Sequence, residues 1–198
     1  RIDWKKINVA KTWSKGQTLK LIYVGRLSKD KNVSSIIEAL KLFKKCSVNI
    51  TLDIVGFGDQ FSSLKSLALK LDLDNKINFH GAIVHKEVIT QLSNSHILVF
   101  PTNTKEGFPK VVLEAMACGL PVIATKISAI PNLIEDKCGL LLKNTDSYSI
   151  YLAIKEMIKI PEKMVIMSEQ GREISKNYLL EDWVNVIKDR LEKNWGKL

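Results

Sequence analysis

Six short apolar runs, each of strand length and most of them closed by a glycine or a turn, recur along this chain with helical patterns between them. They are LKLIYVG (19–25), NITLDIVG (49–56), KINFHG (76–81), HILVF (96–100), LPVIAT (120–125) and CGLLL (138–142). Between them lie VSSIIEALKLFKKC, with Asn32 placed as its N-cap, then DQFSSLKSLALKLDL, HKEVITQLSNS, and PKVVLEAMAC with Pro109 at the first helical position. Parallel neighbours need a crossover of helix length, and strands that are apolar on both faces need helices on both sides. The pattern therefore predicts an α/β fold built on a doubly wound parallel sheet.

After residue 143 the pattern turns wholly helical: SYSIYLAIKEMIK, a break at Pro161, then EKMVIMSEQGREISKNY and LEDWVNVIKDRLEKNW. These last helices, Trp183 and Trp195 among them, are expected along one edge of the sheet. The chain divides on this reading into residues 1–18, a linker or the end of a preceding domain; residues 19–160, the sheet domain; and residues 161–198, helices packing on it. Residues 1–18 begin with Arg1, carry five Lys or Arg against one Asp and show no period, so the chain reads as a piece of something longer.

At 198 residues, 45% hydrophobic and 26% charged, the chain can bury one sizeable core. No run reaches the ~18–20 apolar residues of a membrane-spanning helix, and the expectation is a soluble, cytoplasmic chain. Three cysteines, Cys46, Cys118 and Cys138, form no CxxC pair, which speaks against a disulfide framework and a zinc site. The net charge of +9 suits polyanionic partners, but the lysines are scattered and no aromatic residues interleave with them. The charge reads first as an ordinary solvated basic surface; a nucleic-acid surface is not expected, whereas nucleotide phosphates and an anionic membrane face remain open.

Ligands of open α/β sheets sit at the carboxyl ends of the strands. The loops there read GRLSKDKN after the first strand, with Arg26 and Lys31, then GFGD, HGAIVHK, PTNTKEGFP and KISAIPN. No GxxxxGK[ST] is present, and no GxGxxG follows the first strand, so P-loop and dinucleotide chemistry are not expected. GFGDQF (56–61) reads better as a tight strand-to-helix turn than as a phosphate loop.

The densest stretch is EGFPKVVLEAMACGLPVIAT (106–125), with Glu106 and Glu114 eight positions apart. On the helix that starts at Pro109, Val111, Val112, Ala115 and Met116 share an apolar face, while Lys110, Glu114 and Ala117 share the other. A carboxylate there can accept hydrogen bonds from two vicinal hydroxyls, as a ribose offers, and Glu106 on the loop can reach hydroxyls further out. Taken alone, Glu114 reads better as one half of an i,i+4 surface pair with Lys110.

The stretch closely resembles the E-x7-E signature of the retaining GT-B glycosyltransferases of the "glycosyltransferases group 1" type, carboxyl-terminal domain. YVGRLSKDKN, DIVGFGD, INFHGAI and CGLLL resemble further segments of that family in the family's order, over about residues 19–177. The resemblance implies a Rossmann-like half of a GT-B fold. Arg26 and Lys31 would clamp the donor diphosphate, Glu114 would hold the ribose, and Glu106, at the catalytic centre, would contact the donor sugar. Backbone around Gly107, Phe108, Pro109, Lys110 and Val111 would line the sugar and phosphate pocket, although Pro109 has no N–H, and Gly81, Ala82 and Ile83 would flank the base. The chain departs from the pattern at Ser128, Ala129 and Asn132, where many relatives carry G-G-x-x-E, and at Asn32, where a glycine is frequent.

By that resemblance no cofactor and no metal is required. The donor is a nucleotide diphosphate sugar, UDP favoured over GDP. The acceptor would be a glycan or a lipid-linked acceptor, held by an amino-terminal half missing from these residues. The setting is bacterial surface polysaccharide synthesis, with peripheral association at the inner membrane face, and the fragment alone is expected to be inactive in transfer. The other readings are a non-catalytic nucleotide-sugar or polyanion binding module and an NDP-sugar epimerase with a related sheet. His80, His85 and His96 show no ligand spacing and read as packing or surface residues, as do the cysteines.

Overall fold

The computed structural model describes residues 9, 12–44, 46–105, 107, 109–134, 137–178 and 192. All six expected strands form: β1 (Leu19–Val24), β2 (Ile50–Val55), β3 (Ile77–Gly81), β4 (Ile97–Phe100), β5 (Val122–Thr125) and β6 (Gly139–Leu142). They make one all-parallel sheet of order β3-β2-β1-β4-β5-β6. Every residue of β4 and of β5 is buried, which is why those runs are continuously apolar instead of alternating.

The helices are α1 (Val33–Phe43), α2 (Phe61–Lys70), α3 (His85–Ser93), α4 (Lys110–Ala117), a short α5 (Ile130–Ile134), α6 (Ser147–Lys159) and α7 (Pro161–Lys176). α1 packs with α2 and α6, while α4 packs with α3 and α7. The final helices do not simply line one edge of the sheet: α6 lies against α1 and touches β5 and β6, and α7 lies against α4. Contact between α4 and α7 is close because α7 turns Ser168, Gly171 and Ser175 inward, and a Cβ placed on Gly171 would stand 3.2 Å from that of Cys138. Of the helix expected over 180–195 only Glu192, in helical conformation, is among the described residues, and Trp183 and Trp195 lie outside them.

Two details of α4 differ from expectation. Pro109 stands at the N-cap with ψ 87°, one residue ahead of the helix, and Ala117 is buried, so the polar face narrows to Lys110 and Glu114. The helix closes on Gly119 at φ +79°, with Gly119 N–H donating to the Met116 carbonyl and Leu120 N–H to that of Ala115. That double bond pattern is the Schellman stop, and glycine supplies its left-handed residue.

Asn32 does occupy the N-cap of α1, yet its side chain makes no capping bond. Its backbone is left-handed at φ 52°, and so is that of Ser128 at φ 51°. Both stand where a glycine is frequent in the family pattern, and both keep the conformation a glycine would adopt.

Candidate functional site

Strand order reverses between β1 and β4, and the carboxyl ends of these two strands mark the place where doubly wound sheets take ligands. The β1 loop passes through exposed Arg26, whose carbonyl accepts from the Tyr23 hydroxyl at 2.8 Å, and then through a 3-10 turn at Lys29–Lys31. Lys31 is only 6% exposed. Its Nζ donates to Thr102 Oγ1 at 3.3 Å, stands 3.8 Å from Asp30 Oδ2 and lies 6.0 Å from the centre of the Phe100 ring. A buried ammonium needs such partners, because desolvation without them costs several kcal/mol, on the order of the penalty for any unpaired buried ion.

The β4 loop is stitched to the β1 loop along its length. Asn32 Nδ2 donates to the Pro101 carbonyl at 2.8 Å, Asn103 N–H donates to the Asp30 carbonyl at 2.8 Å, and the Thr104 hydroxyl donates to the Asp30 carboxylate. From the far side the buried Thr125 hydroxyl donates to the Thr102 carbonyl at 2.6 Å. The nearby Ser28 hydroxyl, which makes no hydrogen bond of its own, and then the Thr104 hydroxyl bonded to the carboxylate hold Asp30 down to about 2, so it stands ionised beside Lys31. The segment entering the E-x7-E stretch is thus anchored before it reaches Glu106. Glu106 and Phe108 themselves lie outside the described residues; Gly107 is exposed, Pro109 buried, Lys110 exposed and Val111 half-buried.

Gly56 and Gly58 of the β2 loop are structural. A Cβ on Gly56 would meet the Gly25 carbonyl oxygen at 1.9 Å, and one on Gly58 would meet that of Leu27 at 2.3 Å. Backbone bonds from Leu27 N–H to the Phe57 carbonyl and from Gln60 N–H to the Leu27 carbonyl hold the two loops together. GFGD is therefore the tight turn its spacing suggested.

Glu114 and the β3 loop come together through a residue that sequence reasoning gave no functional part. Glu114 Oε1 lies 2.9 Å from His85 Nε2, and His85 is the first residue of α3, directly after the loop that holds Gly81, Ala82 and Ile83. Gly81 has φ +70° and its carbonyl accepts from Gly56 N–H at 2.8 Å. The surface pair anticipated between Lys110 and Glu114 is replaced, for the carboxylate, by this link between α3 and α4. A histidine at a helix start carries no signal in the sequence of a carboxylate 29 residues on.

The other two histidines are framework. His80 Nε2 lies 2.7 Å from Asp53 Oδ1, which also accepts from Asn78 Nδ2. His96 Nδ1 accepts the Lys20 N–H at 2.9 Å, and burial, then the Lys20 charge, push its pKa down. Burial pushes the Cys118 thiol up to about 11, an unreactive packing residue. Among the described residues no group of three or more His, Cys, Asp or Glu side chains is arranged to hold a metal ion.

An all-parallel sheet wound outward from a β1/β4 crevice, with helices after the sixth strand, defines a Rossmann-like domain of the kind that forms the carboxyl-terminal half of GT-B enzymes. The sequence pattern of the family "Glycosyl transferases group 1" matches residues 5–174, and the chain belongs to that family. It is 30% identical over 173 residues to an uncharacterized glycosyltransferase of Haemophilus influenzae, covering 84% of this chain and 48% of that protein. It is 32% identical over 139 residues to the amylovoran biosynthesis glycosyltransferase AmsK of Erwinia amylovora, covering 68% and 34%. Among solved structures it is similar to the C-terminal domain of the glycosyl transferase group 1 family protein LpcC from Francisella tularensis, with TM-score 0.73 and 26% identity, covering 89% of this chain and 91% of that one. It shares the fold of Anabaena HepE in complex with UDP and glucose, with TM-score 0.77 and 23% identity, covering 89% and 48%. The chain spans less than half the length of the two curated relatives.

Proposed function

We propose that this chain is the donor-binding half of a retaining glycosyltransferase, taking a hexose or N-acetylhexosamine from a nucleotide diphosphate sugar, UDP in preference to GDP. The observation that carries the reading is the Lys31 ammonium held at Thr102 across the β1/β4 crevice. A fixed cation there faces the place where charge grows on a departing diphosphate, and needs no reorganisation when it does. Arg26 joins it from the exposed side of the same loop. Glu114 holds the ribose, Glu106 the sugar, and Gly81 to Ile83 flank the base, while the backbone from Gly107 to Val111 lines the sugar and phosphate pocket. With these cations present, no metal or other cofactor is required.

The names of two relatives, for amylovoran and for colanic acid biosynthesis, support a role in assembling bacterial surface polysaccharide on a glycan or lipid-linked acceptor. The solved HepE complex with UDP and glucose supports a UDP donor. We assign donor binding to residues 19–160 and acceptor binding to a preceding half, with residues 161–198 packing on the donor domain. No described helix is long and apolar enough to cross a membrane, and the charge of +9 suits a cytoplasmic protein resting on an anionic membrane face.

The second reading, a sugar-nucleotide or polyanion binding module without activity, draws on the short span and the same charge. A thermal-shift panel of UDP, GDP, ADP and their sugars tests the first, because a ligand that binds only the folded state raises stability by RT ln(1 + [L]/Kd). A UDP sugar is expected to give the largest rise, and no response to any nucleotide would overturn the proposal. Purified as it stands, the chain should bind donor and transfer nothing. Holding two reactants in register is worth on the order of 7–11 kcal/mol, and that is lost when one wall of the cleft is absent. Robust acceptor glycosylation by these 198 residues would refute that part.

A further inference from the structure

We infer that His85 is a positioning residue of the nucleoside site, holding the Glu114 carboxylate in the one orientation that receives the ribose hydroxyls and tying it to the loop that flanks the base. This rests on the reading of Glu114 as the ribose carboxylate.

The contact is short, 2.9 Å from Nε2 to Oε1, and its two ends differ in character. The Glu114 side chain is 15% exposed and the His85 side chain 50%. A carboxylate so far withdrawn from water needs donors to replace those it has lost, and the imidazole supplies one while staying at the surface itself. A glutamate on a helix surface otherwise samples several rotamers, each of which points its oxygens elsewhere. With one lone pair of Oε1 engaged, the carboxylate keeps its remaining acceptor sites, all of Oε2 among them, for two vicinal hydroxyls. The bond therefore orients Glu114 without occupying the face the ribose needs.

Position in the chain gives His85 its second hold. It follows Val84 at the end of the β3 loop and opens α3, so one side chain links Gly81 to Ile83 with α4. The rest of α3 is seated independently, by buried Leu92 and by Val88 and Ile89 packed on the core. Truncating a half-exposed imidazole therefore leaves the helix in place.

The test measures Kd for UDP and for its 2′,3′-dideoxy analogue with the 198-residue chain, as wild type, His85→Ala, His85→Gln, Glu114→Gln and the double variant His85→Ala/Glu114→Gln. His85→Ala should weaken UDP roughly tenfold, the loss of a charge-assisted contact, and leave the dideoxy analogue unchanged. His85→Gln, whose amide N–H reaches the place of Nε2, should restore most of that loss, and the double variant should bind UDP no worse than Glu114→Gln alone. If Glu114→Gln removes the preference for UDP over the dideoxy analogue while His85→Ala does not, the role of His85 is refuted and the ribose reading stands. Equal losses for both ligands in His85→Ala would mark a merely structural residue and also refute it. If Glu114→Gln leaves the preference intact, the ribose reading falls and the inference falls with it.

Discussion

Lys31 and Thr102, 71 residues apart in the chain, meet at 3.3 Å and close the space between the ends of β1 and β4. The ammonium is thereby placed before any ligand arrives, and its contribution to binding should be separable from its contribution to folding. Lys31→Met keeps the buried stem and removes the charge. It should leave the melting temperature near that of the wild type yet weaken UDP by about 1.5–3 kcal/mol, more than tenfold, with uridine affected little. Arg26→Ala should do the same from the exposed side of the loop. UDP affinity unchanged in both variants would remove the diphosphate clamp.

The two carboxylates should divide their labour. Glu114→Gln is expected to weaken UDP and a UDP sugar alike, since both carry the ribose, whereas Glu106→Gln should weaken only the sugar-bearing ligand. Isothermal titration of the four combinations decides it, and equal losses throughout would show the roles to be wrongly assigned.

Asn32 and Ser128 share a left-handed backbone but should answer glycine differently. A non-glycine residue there costs about 1–2 kcal/mol, against roughly 0.5–1 kcal/mol for the extra freedom glycine loses on folding. Ser128→Gly should therefore raise the urea midpoint slightly. Asn32→Gly also gives up the bond to the Pro101 carbonyl, worth about 0.5–1.5 kcal/mol, and should gain nothing or lose stability. A clear gain at Asn32 would mean that the bond between the two loops contributes nothing.

Asp30 makes the fold sensitive to acid. Its folded pKa of about 2 lies below the ordinary 3.8, so its stabilisation is present in full above 3.8 and is lost as the pH falls toward 2. Asp30→Asn should flatten the fall in urea midpoint across that window and be indifferent to pH above it. A wild-type and a variant curve of the same slope would show that the Ser28 and Thr104 hydroxyls do not hold the carboxylate.

The strands were legible because each is an apolar run cut off by a glycine or turn, and burial on both faces of β4 and β5 made those runs continuous. Glu114 was legible as a polar residue of α4 because the apolar spacing around it fixes the faces of that helix. Less was visible where partners are distant in sequence. Lys31 looked like any loop lysine until the fold set Thr102 and Phe100 around it, and His85 looked like a surface residue until α4 brought Glu114 to it. Pro109, favourable at the first helical position, was moved one residue out by a ψ of 87°, which no local preference of the sequence foretold.

The seam between β1 and β4 also bears on how the chain finds its fold. Leu21 pairs with Ile97, a separation of 97 − 21 = 76 residues, while Leu52 pairs with Ile77 and Leu98 with Val122, separations of 25 and 24. Closing the longer loop costs about 0.6 kcal/mol more for each doubling of length, so the central pair is the most expensive in the sheet to bring together. Three strands on either side can form from neighbouring segments, and the crevice appears only when the two triplets zip. A nucleotide diphosphate seated there would grip both triplets at once, acting as a clasp on the last joint to shut and the first whose parting would break the sheet in two.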